Sequence, residues 1–239
     1  SLAVNALTAE QWLLLVRGTE KMPDDLCFPV ILKPVLEGSS KGVSQGNVVY
    51  DEPSMRARAK ELIERYRQGV MAEEFLPGRE FTVAVLGERR PRVLPPMEIV
   101  FNDKSQKNPV YTYENKLEPN KHISYEVPAK IDAALQGKLE RAAKKSFIAL
   151  SCRDFGRIDF RLDSRGEPHF VECNPLPGLT PVWSDICMIA NAAGMDYSSL
   201  IGEILDPAIR RFKEKNRHLM VARRTPSPDV ETQYPLPAA

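Results

Sequence analysis

Apolar side chains recur at two different spacings along the chain, and these spacings predict its helices and strands. Three segments, 51–68, 131–150 and 197–217, carry apolar residues at helical spacing. The first begins with Asp51, a residue type that caps helix N-termini, and Gly69 follows its last turn. The third is interrupted at Pro207 and ends in a basic stretch, which we interpret as a solvated helix face.

Runs of apolar and β-branched residues predict five strands in the remaining segments. Helices and strands mixed in this way indicate an α/β or α+β fold in which antiparallel strands are prominent. Residues 93–128 have little periodicity, so we expect a long functional loop there. Residues 225–239 are Pro-rich and predict a disordered tail. The predicted strands are Phe28–Val35, Gly69–Leu76, Glu80–Leu86, Ile158–Leu162 and His169–Cys173.

Charge and composition exclude several classes of function. The 239 residues contain 33 Lys and Arg against 32 Asp and Glu, which argues against a nucleic-acid binder that works by neutralising phosphates. No apolar run approaches the roughly 20 residues that span a bilayer, and no signal-peptide pattern is present. The four cysteines are too scattered for a structural zinc site, and we expect them to be reduced. The sequence therefore predicts a cytoplasmic protein that handles small molecules, with neither nucleic acid nor membrane as partner.

The segment Phe155–Gly178 predicts a β-hairpin, with the turn at residues 164–167. If the loop has four residues, Asp163 faces Pro168, and Asp159 faces Glu172 four pairs further along. Arg157 then faces Asn174. Alternation places Arg157, Asp159, Glu172 and Asn174 on one face of the hairpin. The other face would carry a mainly apolar set: Ile158, Phe160, Leu162, His169, Val171 and Cys173.

Two carboxylates that face each other across a strand pair repel and need compensation. A hard divalent cation is one answer, since oxygens of Asp, Glu and Asn suit Mg²⁺ bound together with substrate phosphates. The alternative is a solvated face on which Arg157 and Arg161 neutralise the acids. A slip of one residue in the register would separate the four groups.

A Gly/Ser-rich loop at residues 37–43 follows the first apolar strand, which carries Lys33 near its end. Such a loop brings backbone N–H groups close to phosphate oxygens, and the lysine adds a positive charge. The lysine precedes the loop, so this is not the Walker pattern, and an ordinary turn is the alternative. Combined with the acidic hairpin, the loop predicts one site that holds phosphates on one side and their metal on the other.

Four segments resemble, in family order, the motifs of the ATP-grasp ligases, most closely those of the D-alanine–D-alanine ligases. The resemblance covers residues 12 to about 215. It implies an α+β fold of the ATP-grasp type, in which two α+β subdomains with mainly antiparallel sheets grip ATP between them. The segments are FPVILKPVLEGSSKGV (28–43), AEEFLPGREFTVAVLG (72–87), YTYENKL (111–117) and FGRIDFRLDSRGEPHFVECNPLPGLTP (155–181).

The resemblance also implies a division of the chain. Residues 1–75 would form a small subdomain with the phosphate loop, and 76–217 a large one with a lid loop at 93–128 and a metal hairpin at 155–178. Residues 218–239 would be a basic and then Pro-rich disordered tail. Family members place a full α/β domain before this point, so we expect the chain to be the ATP-binding part of a larger ligase.

Site roles carry over from the family residue by residue. Arg157 falls on the arginine that stabilises the tetrahedral intermediate, Ser39 lies on the donor side, and Lys116 is a phosphate ligand from the lid loop. Asp159, Glu172 and Asn174 fall on the ligands of Mg²⁺, with two ions implied and Mn²⁺ as an alternative metal. Contacts to ATP are implied for Lys33, Glu37, Gly38, Ser39, Ser40, Gly42, Glu73, Phe75, Leu76, Glu80 and Lys116.

The acceptor side departs from the family pattern. A serine soon after the NxxPG element binds the acceptor's carboxylate in the family, whereas Trp183 stands at its usual spacing here and Ser184 follows one residue later. Leu117 stands where a tyrosine often follows the loop lysine. Gly178, Trp183 and Ser184 are the acceptor-side residues that the resemblance implies.

The resemblance implies an ATP-dependent ligase that joins a carboxylate to an amine through an acylphosphate. Its substrates would be amino acids such as D-alanine, its product D-alanyl-D-alanine for peptidoglycan, and its assembly a homodimer. The departures at Trp183 and Leu117 motivate a second hypothesis, a ligase for a different acid and amine. A non-catalytic nucleotide-binding fragment is the third.

Overall fold

The protein is described from a computed structural model. The structure describes residues 26–38, 40–103, 105–112, 115 and 122–224, with side chains as far as residue 217. Ser39 and Lys116, two residues that the family resemblance singles out, lie outside the described residues.

A three-stranded antiparallel sheet forms the first part of the described chain. Its strands β1 (Val30–Pro34), β2 (Val48–Val49) and β3 (Val70–Glu74) are arranged in the order β2-β1-β3. Helix α1 (Glu52–Tyr66) packs on this sheet and buries Met55, Ala59 and Leu62. Its N-cap is Asp51, as predicted, but its last residue is Tyr66, and Arg67 in the left-handed conformation is the C-cap in place of the predicted Gly69.

A six-stranded antiparallel sheet forms the second part, with the order β7-β6-β4-β8-β9 and β5 paired to β4. Helix α2 covers one face of this sheet, and helices α3 and α4 cover the other. The apolar run of β4 is explained by burial on both faces, because alternate residues pack against opposite layers. The elements are β4 (Glu80–Leu86), β5 (Arg92–Val93), β6 (Met97–Phe101), β7 (Ile123–Glu126), α2 (Ala133–Ala149), β8 (Phe155–Leu162), β9 (Pro168–Asn174), α3 (Asp185–Ala192) and α4 (Tyr197–Arg224).

The predicted bounds of several elements need correction. The segment 93–128 is not one loop, because its two ends supply β6 and β7 and only the part between these strands connects them. Helix α4 contains Pro207 and runs on to Arg224, beyond the end predicted at 217. Helix α3 was not predicted at all. The two sheets lie on either side of residue 75, which supports the subdomain boundary that we propose there.

The β8–β9 hairpin has the predicted register at its open end and a different one near its turn. Arg157 faces Asn174 and Asp159 faces Glu172, as alternation predicts. A bulge after Asp159 then shifts the pairing by one residue, so Leu162 rather than Asp163 faces Pro168. Phe170 consequently packs on the apolar face, its ring centroid 6.5 Å from that of Phe160. The prediction that His169 and Val171 belong to this face is wrong, because the bulge changes which residues point there.

Within the part of the chain that the structure describes, no helix is both long enough and apolar enough to span a membrane.

Candidate active site

Two adjoining cavities lie at the open end of the β8–β9 hairpin. The first has a volume of about 290 Å³ and is lined by residues of both sheets, including Lys33, Glu80 and Asp159. The second has a volume of about 470 Å³ and is lined by Arg157 and by the segment that leads into α3. Glu172 and Tyr111 line both cavities, so the two spaces meet at β9.

The four polar residues predicted from the hairpin lie together where the cavities meet. Arg157 donates through Nε and Nη2 to the two carboxylate oxygens of Asp159, at 3.1 and 2.8 Å, and its Nη2 lies 3.4 Å from Glu172 Oε1. Asn174 Nδ2 donates to Glu172 Oε1 at 2.9 Å. Thr82 Oγ1 donates to Asp159 Oδ1 at 2.8 Å from the neighbouring strand β4.

Burial dominates the electrostatics of this cluster. Asp159 is only 9% exposed, and its burial raises the pKa of the carboxyl to about 7 although Arg157 acts in the opposite direction. The nearby Glu172 carboxylate raises the pKa of Asp159 further. The alternative of a solvated acidic face is wrong for Asp159, since its neutralising contact with Arg157 is made inside the protein, whereas the side chain of Glu172 is 45% exposed. Arg161 does not contact these acids and pairs elsewhere.

The donor set of this cluster fits Mg²⁺. Among the residues that the structure describes, no group of three His, Cys, Asp or Glu side chains has the arrangement of a metal site. The cluster offers instead two carboxylates and one amide. Mg²⁺ is commonly held by one or two carboxylates, and water and substrate phosphates complete its coordination. Asp159, Glu172 and Asn174 thus remain the predicted ligands.

The side of the first cavity that is predicted to hold phosphates comes from the small sheet and the loop after β1. Lys33 on β1 forms an ion pair with Glu73 on β3, and both line the cavity. Glu37, Gly38 and Ser40 of the loop line it as well. Gly42 is not among the described residues that line the cavity. The need for a glycine at this position is explained by local packing instead.

Gly42 has a φ of 75°, a conformation that L side chains rarely adopt. A Cβ at this position would also lie 2.6 Å from Pro34 Cγ. The glycine therefore lets the loop return closely over β1, which sets the shape of the phosphate side without a contact from Gly42 itself.

Phe75 and Leu76, which connect the two sheets, line the first cavity beside Glu80. Arg161 Nη1 donates to Glu80 Oε2 at 3.1 Å, and the guanidinium lies 4.7 Å from the centroid of the Phe75 ring. Sequence reasoning gave Arg161 a role only in the alternative of a solvated face, where it would neutralise the hairpin acids, and not as a partner of Glu80. The available signal was its position two residues after Asp159 on the same strand face.

The acceptor-side residues of the family pattern all line the second cavity. Ser184 is the N-cap residue of α3, and its Oγ accepts a hydrogen bond from Thr180 N at 2.9 Å. A Cβ on Gly178 would lie 3.0 Å from this Oγ, so the glycine permits the close approach of the two segments. Trp183 is 61% exposed at the rim.

Three further residues of the second cavity were missed in the sequence. Asp185, the first residue of α3, accepts a hydrogen bond from Arg157 Nη1 through Oδ2 at 2.7 Å. Tyr111 and Tyr125 place their hydroxyl oxygens 2.7 Å apart, and burial raises the pKa of both phenols. Asp185 and Tyr125 lie on the unpredicted elements α3 and β7, and this explains why the sequence gave no signal for them.

Two antiparallel sheets that enclose a cavity lined by a strand lysine, a Gly/Ser-rich loop and an acidic hairpin define the ATP-grasp class. A family model described as the D-ala D-ala ligase C-terminus matches residues 3–206. The chain belongs to the D-alanine–D-alanine ligase family.

Curated relatives and solved structures support this assignment. The uncharacterized protein y4sG of Sinorhizobium fredii is 37% identical over 199 residues, 83% of this chain and 57% of that protein. The D-alanine–D-alanine ligase of Bordetella avium is 37% identical over 198 residues, 82% of this chain and 59% of that protein. The chain thus spans less than two thirds of the length of these relatives.

Two solved structures have the same fold in the compared region. The VanG D-Ala:D-Ser ligase from Enterococcus faecalis has a TM-score of 0.61 at 27% identity, over 77% of this chain and 50% of that one. The D-alanine–D-alanine ligase from Bacillus anthracis has a TM-score of 0.59 at 26% identity, over 79% of this chain and 56% of that one.

Proposed function

We propose that this protein is an ATP-dependent ligase that joins a carboxylate to an amine through an acylphosphate. One observation carries the proposal. Arg157, Asp159, Glu172 and Asn174 cluster at the junction of two cavities, so a phosphate in the first cavity and an organic acid in the second would meet there. D-alanine is the first substrate to test on both sides of the reaction, because the relatives from Bordetella avium and Bacillus anthracis are D-alanine–D-alanine ligases.

ATP would occupy the first cavity. Lys33 and the loop residues Glu37, Gly38 and Ser40 would hold the phosphates, and Phe75 and Leu76 would face the adenine. Glu80 would accept hydrogen bonds from the ribose hydroxyls. Mg²⁺, when held by Asp159, Glu172 and Asn174, would offset the negative charge of the phosphates.

The reaction would proceed in two steps. An oxygen of the donor carboxylate attacks the γ-phosphorus of ATP, and ADP leaves. The acceptor amine then attacks the carbonyl carbon of the acylphosphate, forms the C–N bond and displaces phosphate. Arg157 would stabilise the oxyanion of the second step, because its guanidinium is held in place by carboxylates before the substrate arrives.

A ligase for a different acid and amine is the second candidate. The exposed Trp183 and the ion pair of Asp185 with Arg157 favour it, since neither feature offers a binding group to an acceptor carboxylate.

We further propose a cytoplasmic location and a homodimeric assembly; light scattering of the purified protein tests the latter.

The reaction class is tested by phosphate release with ATP, Mg²⁺ and D-alanine, with the product identified by mass spectrometry. Arg157→Lys is expected to lower turnover about 100-fold or more, as when an oxyanion donor is lost. Arg165→Lys, a change on the exposed hairpin turn, should leave turnover unchanged.

The possible outcomes of this assay separate the hypotheses. Release with another amino acid but none with D-alanine would replace the substrate and keep the reaction class. Absence of Mg²⁺-dependent ATP binding would overturn the class itself.

A further inference from the structure

The second cavity carries an unusual charge inventory for a site that would bind a free amino acid as acceptor. Among the described residues that line it, Arg157 is the one cation, while Glu172 and Asp185 are both acids. A free amino acid brings a carboxylate together with its amine. That carboxylate would have to find a positive partner within this cavity.

The Arg157 guanidinium is already engaged with carboxylates of the chain. Its Nε and Nη2 are directed at the hairpin acids, and its Nη1 donates to Asp185 Oδ2 at 2.7 Å. The side chains of Arg157 and Asp185 are 17% and 18% exposed, so their interaction is only weakly screened by water.

Asp185 also occupies the start of α3, the part of a helix that attracts anions. The first-turn N–H groups and the helix dipole favour a negative charge there, and Ser184 supplies a hydroxyl at the N-cap. A substrate carboxylate would find Arg157 and a helix N-terminus side by side at this place. The chain puts its own carboxylate there instead.

We propose that Asp185 is a specificity-determining residue that selects an acceptor amine without an adjacent free carboxylate, such as an amino-acid amide or ester or a simple amine. This inference rests on the proposed ligase function and names the class of its second substrate. The chemistry is otherwise unchanged: the amine nitrogen forms the C–N bond, the acylphosphate C–O bond breaks, phosphate leaves, and the amine loses a proton.

A competition between two acceptors tests the proposal directly. The protein is expressed from its natural reading frame and incubated with ATP, Mg²⁺ and equal concentrations of D-alanine and D-alaninamide. D-alaninamide has no carboxylate and therefore serves only as acceptor, so the ratio of D-alanyl-D-alaninamide to D-alanyl-D-alanine reports acceptor selection. We expect the amide product to dominate at least about tenfold, because like charges in a shielded site repel strongly.

Asp185→Asn keeps the shape of the side chain, removes its charge, and is expected to lower the product ratio at least about tenfold. The matched control is Asp196→Asn, which changes an exposed acid that accepts a hydrogen bond from Ser199 N at the start of α4 and lines neither cavity. Its product ratio should equal that of the unchanged chain.

Two results of the competition would overturn the proposal. One is a preference for D-alanine in the unchanged chain. The other is an equal loss of both products in Asp185→Asn, which would mean that Asp185 only positions Arg157. If neither product forms, the D-alanine donor assignment fails, and calorimetric binding of the two acceptors decides the role of Asp185. D-alanine should then bind more tightly to Asp185→Asn than to the unchanged chain; equal binding would reject the inference.

Discussion

Replacing Arg161 with methionine would remove a buried cation that links several parts of the first cavity. Arg161 is 7% exposed and pairs with Glu80 on the neighbouring strand β4. Its Nη2 donates to Pro109 O at 2.7 Å, and its guanidinium lies near the rings of Phe75 and Phe101. Burial lowers the pKa of Arg161, and the Glu80 carboxylate acts against this shift by stabilising the charged form.

The expected cost follows from this burial. Removing one partner of a buried ion pair typically destabilises a protein by about 3–5 kcal/mol, because the remaining charge loses its compensation. Methionine restores most of the apolar contact with the two rings, so we place Arg161→Met at the low end, about 3 kcal/mol. ATP binding should weaken as well, since the Glu80 carboxylate would no longer be held by the guanidinium.

Urea unfolding measures the free energy of unfolding for each variant. The control is Arg165→Met, which removes an arginine whose side chain is 79% exposed and pairs with Asp163 at 3.1 Å. An exposed pair of this kind contributes about 0–1 kcal/mol. The double variant Glu80→Gln, Arg161→Met should recover part of the loss. A loss for Arg161→Met no larger than that for Arg165→Met would refute the argument.

Three further predictions address the metal cluster and the first helix. Glu172→Gln should weaken Mg²⁺-dependent ATP binding about tenfold or more, whereas Glu167→Gln on the exposed turn should not; calorimetry with and without chelator compares them. In metal-free protein, burial raises the pKa of Asp159 from 3.8 to about 7, so between these pH values the folded chain keeps a proton that the unfolded chain has lost. The free energy of unfolding should therefore fall as the pH rises through this window. Urea unfolding at several pH values should find that fall reduced in Asp159→Asn. Asp51→Ala should cost about 1 kcal/mol of unfolding free energy in urea, because the cap to Ser54 N is lost.

Alternation and helical spacing predicted the elements whose burial follows directly from the local pattern of apolar residues. Helix α1 buries Met55, Ala59 and Leu62 as its spacing requires, and β4 has the predicted bounds. The pairing of Asp159 with Glu172 followed from counting back from a turn. The same counting was wrong nearer the turn, because five residues rather than four connect Leu162 to Pro168. The bulge in β9 then restores the predicted register at Asp159, and it leaves no separate mark in the sequence.

The elements that were missed are short or stabilised by distant partners. Strand β7 has only four residues, and its neighbour β6 follows two prolines, so their stability comes from pairing within the large sheet rather than from local pattern. Helix α3 has eight residues after a Pro-rich segment. Asp185 and Tyr125 were missed with these elements, whereas Arg161 had a local signal in the alternation of β8.

Arg157 connects the two halves of the proposed chemistry because its contacts extend in two directions. Toward the first cavity it holds Asp159 and lies near Glu172, and toward the second it holds Asp185. A divalent cation that drew the first two carboxylates toward itself would weaken their hold on the guanidinium and leave Asp185 as its main anchor. When ATP and the cation are bound, the position of the Arg157 guanidinium would then depend more strongly on its ion pair with Asp185. The residue that we infer to select the acceptor would thereby also keep the oxyanion-stabilising group in place when the acylphosphate forms.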